Sequence, residues 1–367
     1  QWQWVQAHLN HAPITYGNLE GPTDNTQDYS ITEKTNGYPF NFPNKAVMDL
    51  VDAGFDVFTT SNNHALDMGA QGVDQTLFFL RRLGIAAAGS VLSTDDSHGV
   101  RRVLDSVAYV QSGSINIAIV GCTTQLNGRV DRNHQVIRCS QDGAPNDAVF
   151  TAIGTLSADP DIDLVIFAPH WGAEYSKQPD RHQRDLAWLA VDAGAKLILG
   201  HHPHVLQSWE RMDEAFVFYS VGNFMTGQAP TDMAPTNEQR RAIQKRRFSS
   251  RLSTLLHFKF GHNMRRQLIV TDFKVLPAYM ATCYQMGQGS RGGRALEIHH
   301  CNFPRTLVPV YPDLLEDMGL DDLAKRRLGS AVASARDEFT QTFPETCFVK
   351  PEAVFNAAAM DWSESCR

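Results

Sequence analysis

The sequence predicts an α/β fold, and three observations carry that expectation. An amphipathic run, a glycine and an apolar run follow one another repeatedly: "KAVMDLVDAG" then "FDVFTT", "DQTLFFLRRLG" then "IAAAGS", "RDLAWLAVDAG" then "KLILG". The apolar runs are near-continuous rather than alternating, as for strands covered on both faces. Unusual polar residues collect just after those runs, at the strand ends where open α/β sheets bind ligands.

Each element follows from local pattern. The N-terminal segment reads as an amphipathic helix with His8 and His11 facing solvent. "ITYGNLEGP" is a short strand whose end delivers Asn18 and Glu20. In the third helix, Leu186, Leu189, Ala190 and Ala193 have i, i+3, i+4, i+7 spacing. Gly54, Gly84 and Gly194 stand where a left-handed C′ residue ends each helix. Further strands are expected at 115–122, 163–170 and 215–224. The polar, then basic stretch 226–252 reads as an exposed excursion whose cations form a solvated face. Residues 253–260 and 266–277 read as a hairpin returning to the sheet, and 312–343 as an amphipathic helix. Residues 1–300 are thus expected as one domain, with 301–367 a helical extension packed on it.

Bulk properties exclude some functions. The 367 residues are 43% hydrophobic and 20% charged, with a formal net charge of -7. That balance does not favour nucleic acid, whose binding needs basic patches. No apolar run approaches the roughly 18–20 residues of a membrane span. The chain opens on Gln1, so sequence upstream of it is expected. Six cysteines, an even count, suggest disulfides and an oxidising, periplasmic or extracellular setting. Sequential pairing (Cys122 with Cys139, Cys283 with Cys301, Cys347 with Cys366) is one of several connectivities, and six unrelated buried thiols are the alternative.

Five strand ends carry candidate ligands: Asn18 and Glu20; Asn62, Asn63, His64 and Asp67 of "SNNHALD"; His170 and Glu174 of "PHWGAEY"; His201, His202 and His204 of "GHHPH"; and Asn223 of "GNF". A His-x-His with proline between presents two imidazoles from one loop. With His170, Asn63 and Glu20 they make a mixed N/O set that suits Mn, Fe or Zn better than Ca or Mg. His64 is a candidate general acid, because histidine titrates near neutral pH. Singly, each of these residues is more often structural; their conjunction at strand ends points to a site. The chain has no GxSxG elbow and no P-loop. "GQGSRGG" (287–293) is read as a stapled loop, and His299 and His300 as surface or packing residues.

"GNLEGP" (17–22), "SNNHALDMG" (61–69), "AGS" (88–90), "PHWGAEY" (169–175), "GHHPHVLQ" (200–207) and "YSVGNF" (219–224) together resemble the bacterial capsule-synthesis CapA family, linked to poly-γ-glutamate and similar to the calcineurin-like metallophosphatases. The resemblance covers roughly residues 16–225. It implies a four-layer α/β/β/α sandwich with Asn18, Glu20, Asn63, His170, His202 and His204 as ligands of one or two divalent ions. It also implies His64, Glu20 and His170 as catalytic groups, with His201, Trp171, Glu174 and Asn223 against the substrate. Two departures stand out: the family's opening strand, ending in Gly-Asp, has no counterpart here, and the bridging aspartate falls on Asn18. The implied partner is an anionic or peptide-like polymer, within a membrane-bound synthesis complex. Three activities fit: a metal-dependent hydrolase of an amide or phosphoester bond, a metal-free peptide epimerase, or a non-catalytic polymer-binding component.

Overall fold

A computed structural model describes residues 4–26, 40–141, 143–226, 248–282, 305–315, 322–354, 356–363 and 366. Cys283, Cys301, the 287–293 loop, His299, His300, most of the 226–252 excursion and residues 316–321 of the expected helix lie outside these residues.

In chain order the elements are α1 (Gln6–His11), β1 (Tyr16–Asn18), α2 (Asn44–Asp52), β2 (Val57–Thr59), α3 (Gly69–Arg82), β3 (Ala86–Ala88), α4 (Gly99–Asp105), β4 (Ala108–Ser112) and β5 (Ile115–Thr123). There follow β6 (Ser140–Gln141), β7 (Ala144–Pro145), α5 (Asp147–Ala158), β8 (Leu164–His170), α6 (Arg181–Asp192), β9 (Leu197–Leu199), β10 (Trp209–Met212) and β11 (Ala215–Phe218). The last are β12 (Leu252–His262), β13 (Leu268–Thr282), β14 (Arg305–Pro309) and α7 (Asp322–Thr340). The mixed α/β class is as expected. Gly54, Gly84 and Gly194 follow α2, α3 and α6 with φ of 112°, 73° and 113°, a region where a side chain is strained.

Three sheets matter for the site. One is parallel, in the order β1-β2-β3; a six-stranded sheet runs β10-β11-β9-β8-β5-β4. In the latter β11, β9, β8 and β5 are mutually parallel, and β10 and β4 are antiparallel edges. Its interior strands are buried on both faces, which explains their unbroken apolar runs. On one face Val120, Phe167, Ile198 and Val217 pack against Val149 and Ile153 of α5 and Leu186 and Ala190 of α6. On the other, Ile119, Ile166, Phe216 and Phe218 join Val57 and Ala88 of the parallel sheet, Phe273 and Val275 of β13, and Leu328, Val332 and Phe339 of α7.

Four details differ from the sequence reading. The buried stripe of α6 is Gln183, Leu186, Ala187 and Ala190, and Leu189 is exposed. The hairpin does not return to the six-stranded sheet: β12, β13 and β14 form an antiparallel sheet of their own, whose Phe273 packs in edge-to-face (T-shaped) contacts with Trp209, Phe216 and Phe218. The strand expected over 215–224 ends at Phe218, and the rest is loop. His8 is buried, not solvent-facing: its Nδ1 lies 2.9 Å from His257 Nε2, and its Nε2 meets the carbonyls of Ala353 and Val354. His11 is exposed.

Two of the three sequential cysteine pairs fall on described residues, and both are disulfides: Cys122–Cys139 and Cys347–Cys366, with Cα atoms 5.0 and 4.7 Å apart. The first fastens the loop that follows β5 to that strand's end. Among the described residues no helix is long and apolar enough to cross a membrane.

Candidate functional site

The parallel strands of both sheets bring their carboxyl ends to one place. β1 delivers Asn18 and Glu20, and β2 the turn 61–67. β5 delivers Gln125 and Asn127, β8 ends in His170, β9 leads into His201–His204, and β11 leads to Asn223. Asn62 is fully buried and ties the first two together: its amide donates to Leu19 O (2.7 Å), and its Oδ1 accepts from the His64 N–H (3.2 Å). That Asx turn aims Asn63 and His64 outward from the sheet end.

The imidazoles converge on a carboxylate. Glu20 Oε1 lies 3.7 Å from His170 Nε2 and 3.4 Å from His204 Nε2. His170 Nε2 is 2.8 Å from Asn63 Oδ1, so residues from the two sheets are joined. His204 Nδ1 meets Asn223 Oδ1 at 2.9 Å, while the Asn223 amide donates to His204 O and Ser250 O. Asn223 thereby fixes the ring and turns Nε2 toward Glu20, the role outer partners play for ligating histidines. Gln125 holds His202 Nε2 at 2.5 Å, and the rings of His170 and His202 are 4.9 Å apart.

Two sets of potential ligands emerge: Glu20, His170 and His202, and Glu174, His202 and His204, the donor atoms of each lying within 4.8 Å of one another. His202 belongs to both. Glu174, expected against the substrate, therefore stands among the ligand-bearing groups. Gln207 secures its loop, donating to Ser176 O and Gln178 O while accepting from Gln183 of α6. Donor chemistry fits a divalent ion, since neutral imidazole and carboxylate are the set that Mn, Fe and Zn take. Glu20 Oε1, His170 Nδ1 and His202 Nδ1 are buried with no hydrogen-bond partner among the described residues. Buried polar atoms of that kind call for a ligand.

His64 stands at the rim. Its Nδ1 donates to Asp67 Oδ2 (2.7 Å), which also accepts the Phe40 N–H (2.7 Å). Phe40 stacks on the ring at 4.0 Å, and Asn127 lies 3.5 Å from Nε2. A buried carboxylate that fixes the tautomer of an imidazole is the arrangement of a general acid or base.

The remaining expected residues divide. Asn18 Oδ1 accepts from Thr59, and its amide reaches Glu20 at 3.5 Å, so it faces the cluster. His201 points to the other side of its loop, where Nε2 meets the Tyr16 hydroxyl at 2.9 Å. Trp171 does not line the site: it is fully buried, donates its indole N–H to Tyr219 O and packs against Phe167. Its bulk fills the space behind the loop. Gln125 and Asn127 were not among the expected site residues; they follow β5, a sixth strand end to which the strand-end rule applies equally. Asp67, a candidate ligand at the sequence level, instead orients His64, three residues before it.

Burial sets the protonation. His170 is held well below the ordinary histidine range by desolvation and by the surrounding histidines. Desolvation, then His204, bring His201 and His202 down to about 3, and desolvation with His8 and His11 does the same to His257. Desolvation pushes Glu20 up against the pull of His204 and His64. At neutral pH His170 and His202 are thus neutral, with lone pairs available to an ion. The linkage has a definite sign. Between pH 6.5 and about 3 the unfolded chain binds protons at His201, His202 and His257 that the folded chain refuses. Their stability contribution is full above pH 6.5 and is lost as pH falls. Glu20, whose carboxyl is raised by burial, acts in the opposite sense above pH 4.5. Thermal unfolding from pH 7 to 4 will show Tm falling once pH drops below 6.5, and His257→Leu will flatten that slope. A Tm flat across this range contradicts the assignment.

The fold and the cluster define an α/β protein whose strand ends gather imidazoles, carboxylates and amides into one place. Sequence comparison makes the class specific. The model of the family described as bacterial capsule synthesis protein PGA_cap matches residues 1–228, and the chain belongs to that family. It is 32% identical over 244 residues to the PGA biosynthesis protein CapA of Bacillus subtilis (strain 168), covering 63% of this chain and 57% of that one. It is 30% identical over 233 residues to the capsule biosynthesis protein CapA of Bacillus anthracis, covering 62% and 54%. A probable polyglutamine synthesis accessory protein of Mycobacterium tuberculosis is 28% identical over 152 residues, covering 40% and 39%. The chain therefore spans little more than half the length of the two CapA relatives.

Proposed function

We propose that this chain is a cell-envelope protein that hydrolyses an amide or phosphoester bond in an anionic, peptide-like polymer of the poly-γ-glutamate class. The carrying observation is that two ligand sets share His202, with an Asp67-oriented His64 beside them. Glu20, His170, His202, His204 and Glu174, helped by Asn18 and Asn63, would hold one or two ions of Mn, Fe or Zn. Such ions supply Lewis acidity and a clamp for developing negative charge. Asn63 and Asn223 orient the ligating rings, Gln125 steadies His202, and His64 passes its Nε2 proton to the leaving group while Asp67 stabilises the imidazolium. We further read the packed layers as a four-layer α/β/β/α sandwich of metallophosphatase type. The two disulfides support a periplasmic or extracellular setting. A membrane-bound synthesis complex is the partner that the capsule relatives suggest.

The test measures turnover of poly-γ-glutamate and of a phosphodiester by ion-loaded and chelator-treated protein, and by Asp67→Asn. Turnover should vanish with chelator and return with Mn or Zn. Asp67→Asn should lower kcat roughly 10²–10⁴-fold with ion content unchanged. Binding of the polymer without turnover in any form would leave the non-catalytic reading instead.

A further inference from the structure

His201 is buried, yet it stands outside both ligand sets. Its backbone is fixed to the end of β8: His201 N donates to Pro169 O, and His201 O accepts from Trp171 N. Its side chain crosses to the parallel sheet, where Nε2 lies 2.9 Å from the Tyr16 hydroxyl. That hydroxyl is 3.0 Å from Thr59 Oγ1, a group buried at the end of β2. Thr59 donates to Asn18 Oδ1 at 3.3 Å, and the Asn18 amide reaches Glu20 Oε2 at 3.5 Å. Side-chain contacts thus run unbroken from the histidine loop, across the ends of β1 and β2, to the carboxyl group on which His170 and His204 converge.

The direction of this chain follows from counting protons. A Glu20 that holds an ion is a carboxylate, with acceptors only. Asn18 must then present its NH2 group to Oε2, which leaves Oδ1 toward Thr59. The Thr59 hydroxyl has one proton and gives it to that oxygen, so from Tyr16 it can only accept. The Tyr16 proton is committed in turn, and His201 must therefore donate, from Nε2–H. We infer that His201, Tyr16, Thr59 and Asn18 form a one-way donor relay that positions Glu20, holding Oε2 so that Oε1 faces His170 and His204. Oε1 lies 3.7 and 3.4 Å from those rings and has no hydrogen-bond partner among the described residues. Aligned hydrogen bonds polarise one another, so the relay turns the positive ends of its dipoles on Oε2. The amide at residue 18 suits this role, because an aspartate there would set a second carboxylate 3.5 Å from the first. Tyr16, Thr59 and His201 are positioning residues, acting through Asn18 and Glu20. The inference deepens the ion-centre reading and rests on it for the charge of Glu20.

The test combines nitrogen NMR of histidine-labelled full chain, its His201 signals assigned by their loss in His201→Asn, with Mn titration calorimetry. In the wild type His201 Nε2 should give a protonated, pyrrole-type signal. Thr59→Val keeps the side chain's shape but removes the hydroxyl. The Tyr16 O–H then loses its acceptor and turns to His201, so the ring proton moves to Nδ1 and the Nε2 signal becomes pyridine-type. Mn affinity should fall about 10–100-fold, as on loss of other outer partners of a metal centre. Thr59→Ser, which restores the hydroxyl, should keep the wild-type signal and affinity. Tyr16→Phe breaks the relay at a second, half-buried point and should lower affinity to the same degree, which separates the effect from a folding defect in Thr59→Val. A pyridine-type Nε2 in the wild type would overturn the relay, as would Thr59→Val and Tyr16→Phe that bind Mn as tightly as wild type. A wild type that takes up no Mn would overturn the ion-centre reading instead. The His201 signals would then still decide the relay: a pyrrole-type Nε2 that Thr59→Val abolishes supports it, and any other pattern overturns it.

Discussion

His202→Ala will strip the protein of bound divalent ion, whereas His204→Ala and Glu174→Ala will each leave part of it in place. The reason is topological: His202 is the one residue common to both ligand sets. Removing it takes a donor from Glu20 and His170 and also from Glu174 and His204. Loss of even an outer partner of a metal-bound histidine lowers affinity about 10–100-fold, so loss of this shared donor should cost at least the upper figure. The measurement is elemental analysis after loading with Mn or Zn and exhaustive dialysis, with titration calorimetry for affinity. Circular dichroism serves as the check on folding. His8→Ala, at a histidine outside the cluster, should retain full ion content. Equal content in wild type and His202→Ala would refute the shared-ligand centre.

Gly200→Ala should be among the most destabilising single methyl additions in the protein. A Cβ at this position would stand 2.2 Å from Tyr219 O and 2.5 Å from Trp171 Nε1. Neither neighbour can yield cheaply. Tyr219 O accepts the Trp171 indole N–H, Gly200 N donates to Phe218 O, and Val221 N donates to Gly200 O. The added methyl must push β9 from β11 or break the indole contact. Overpacking of this kind costs about 3 kcal/mol, a Tm loss of roughly 4 °C for a chain of this length. Because Gly200 immediately precedes His201 and His202, ion binding should weaken along with stability. A Tm within a degree of wild type would show that the two strands can part without penalty.

Much of this was legible in the residues. The helix–glycine–strand repeat announced α2, α3 and α6 with their left-handed C′ glycines, because helix termination and burial are local and periodic. The strand-end rule located Glu20, Asn63, His64, His170, His202 and His204 before any contact was known. Three things were not legible. Whether a tryptophan in "PHWGAEY" faces substrate or core depends on which side of the strand end it leaves, and Trp171 leaves toward Tyr219. His8 sits on a short helix whose periodicity gives no hint that Ala353 and Val354 come from 345 residues away to accept its proton. The sheet that β13 joins is decided by aromatic packing of Phe273 against β10 and β11, a long-range contact without a sequence signature.

One feature of the histidine loop bears on how quickly the centre can work. His202 and His204 both occupy positive φ, at 97° and 59°, a region that non-glycine residues enter only when the surroundings dictate it, at about 1–3 kcal/mol each. That penalty is met when the chain folds, so the rings stand ready before any visitor arrives. Capture then needs little rearrangement of the protein, and association should run close to the pace of encounter, leaving residence time to distinguish one guest from another.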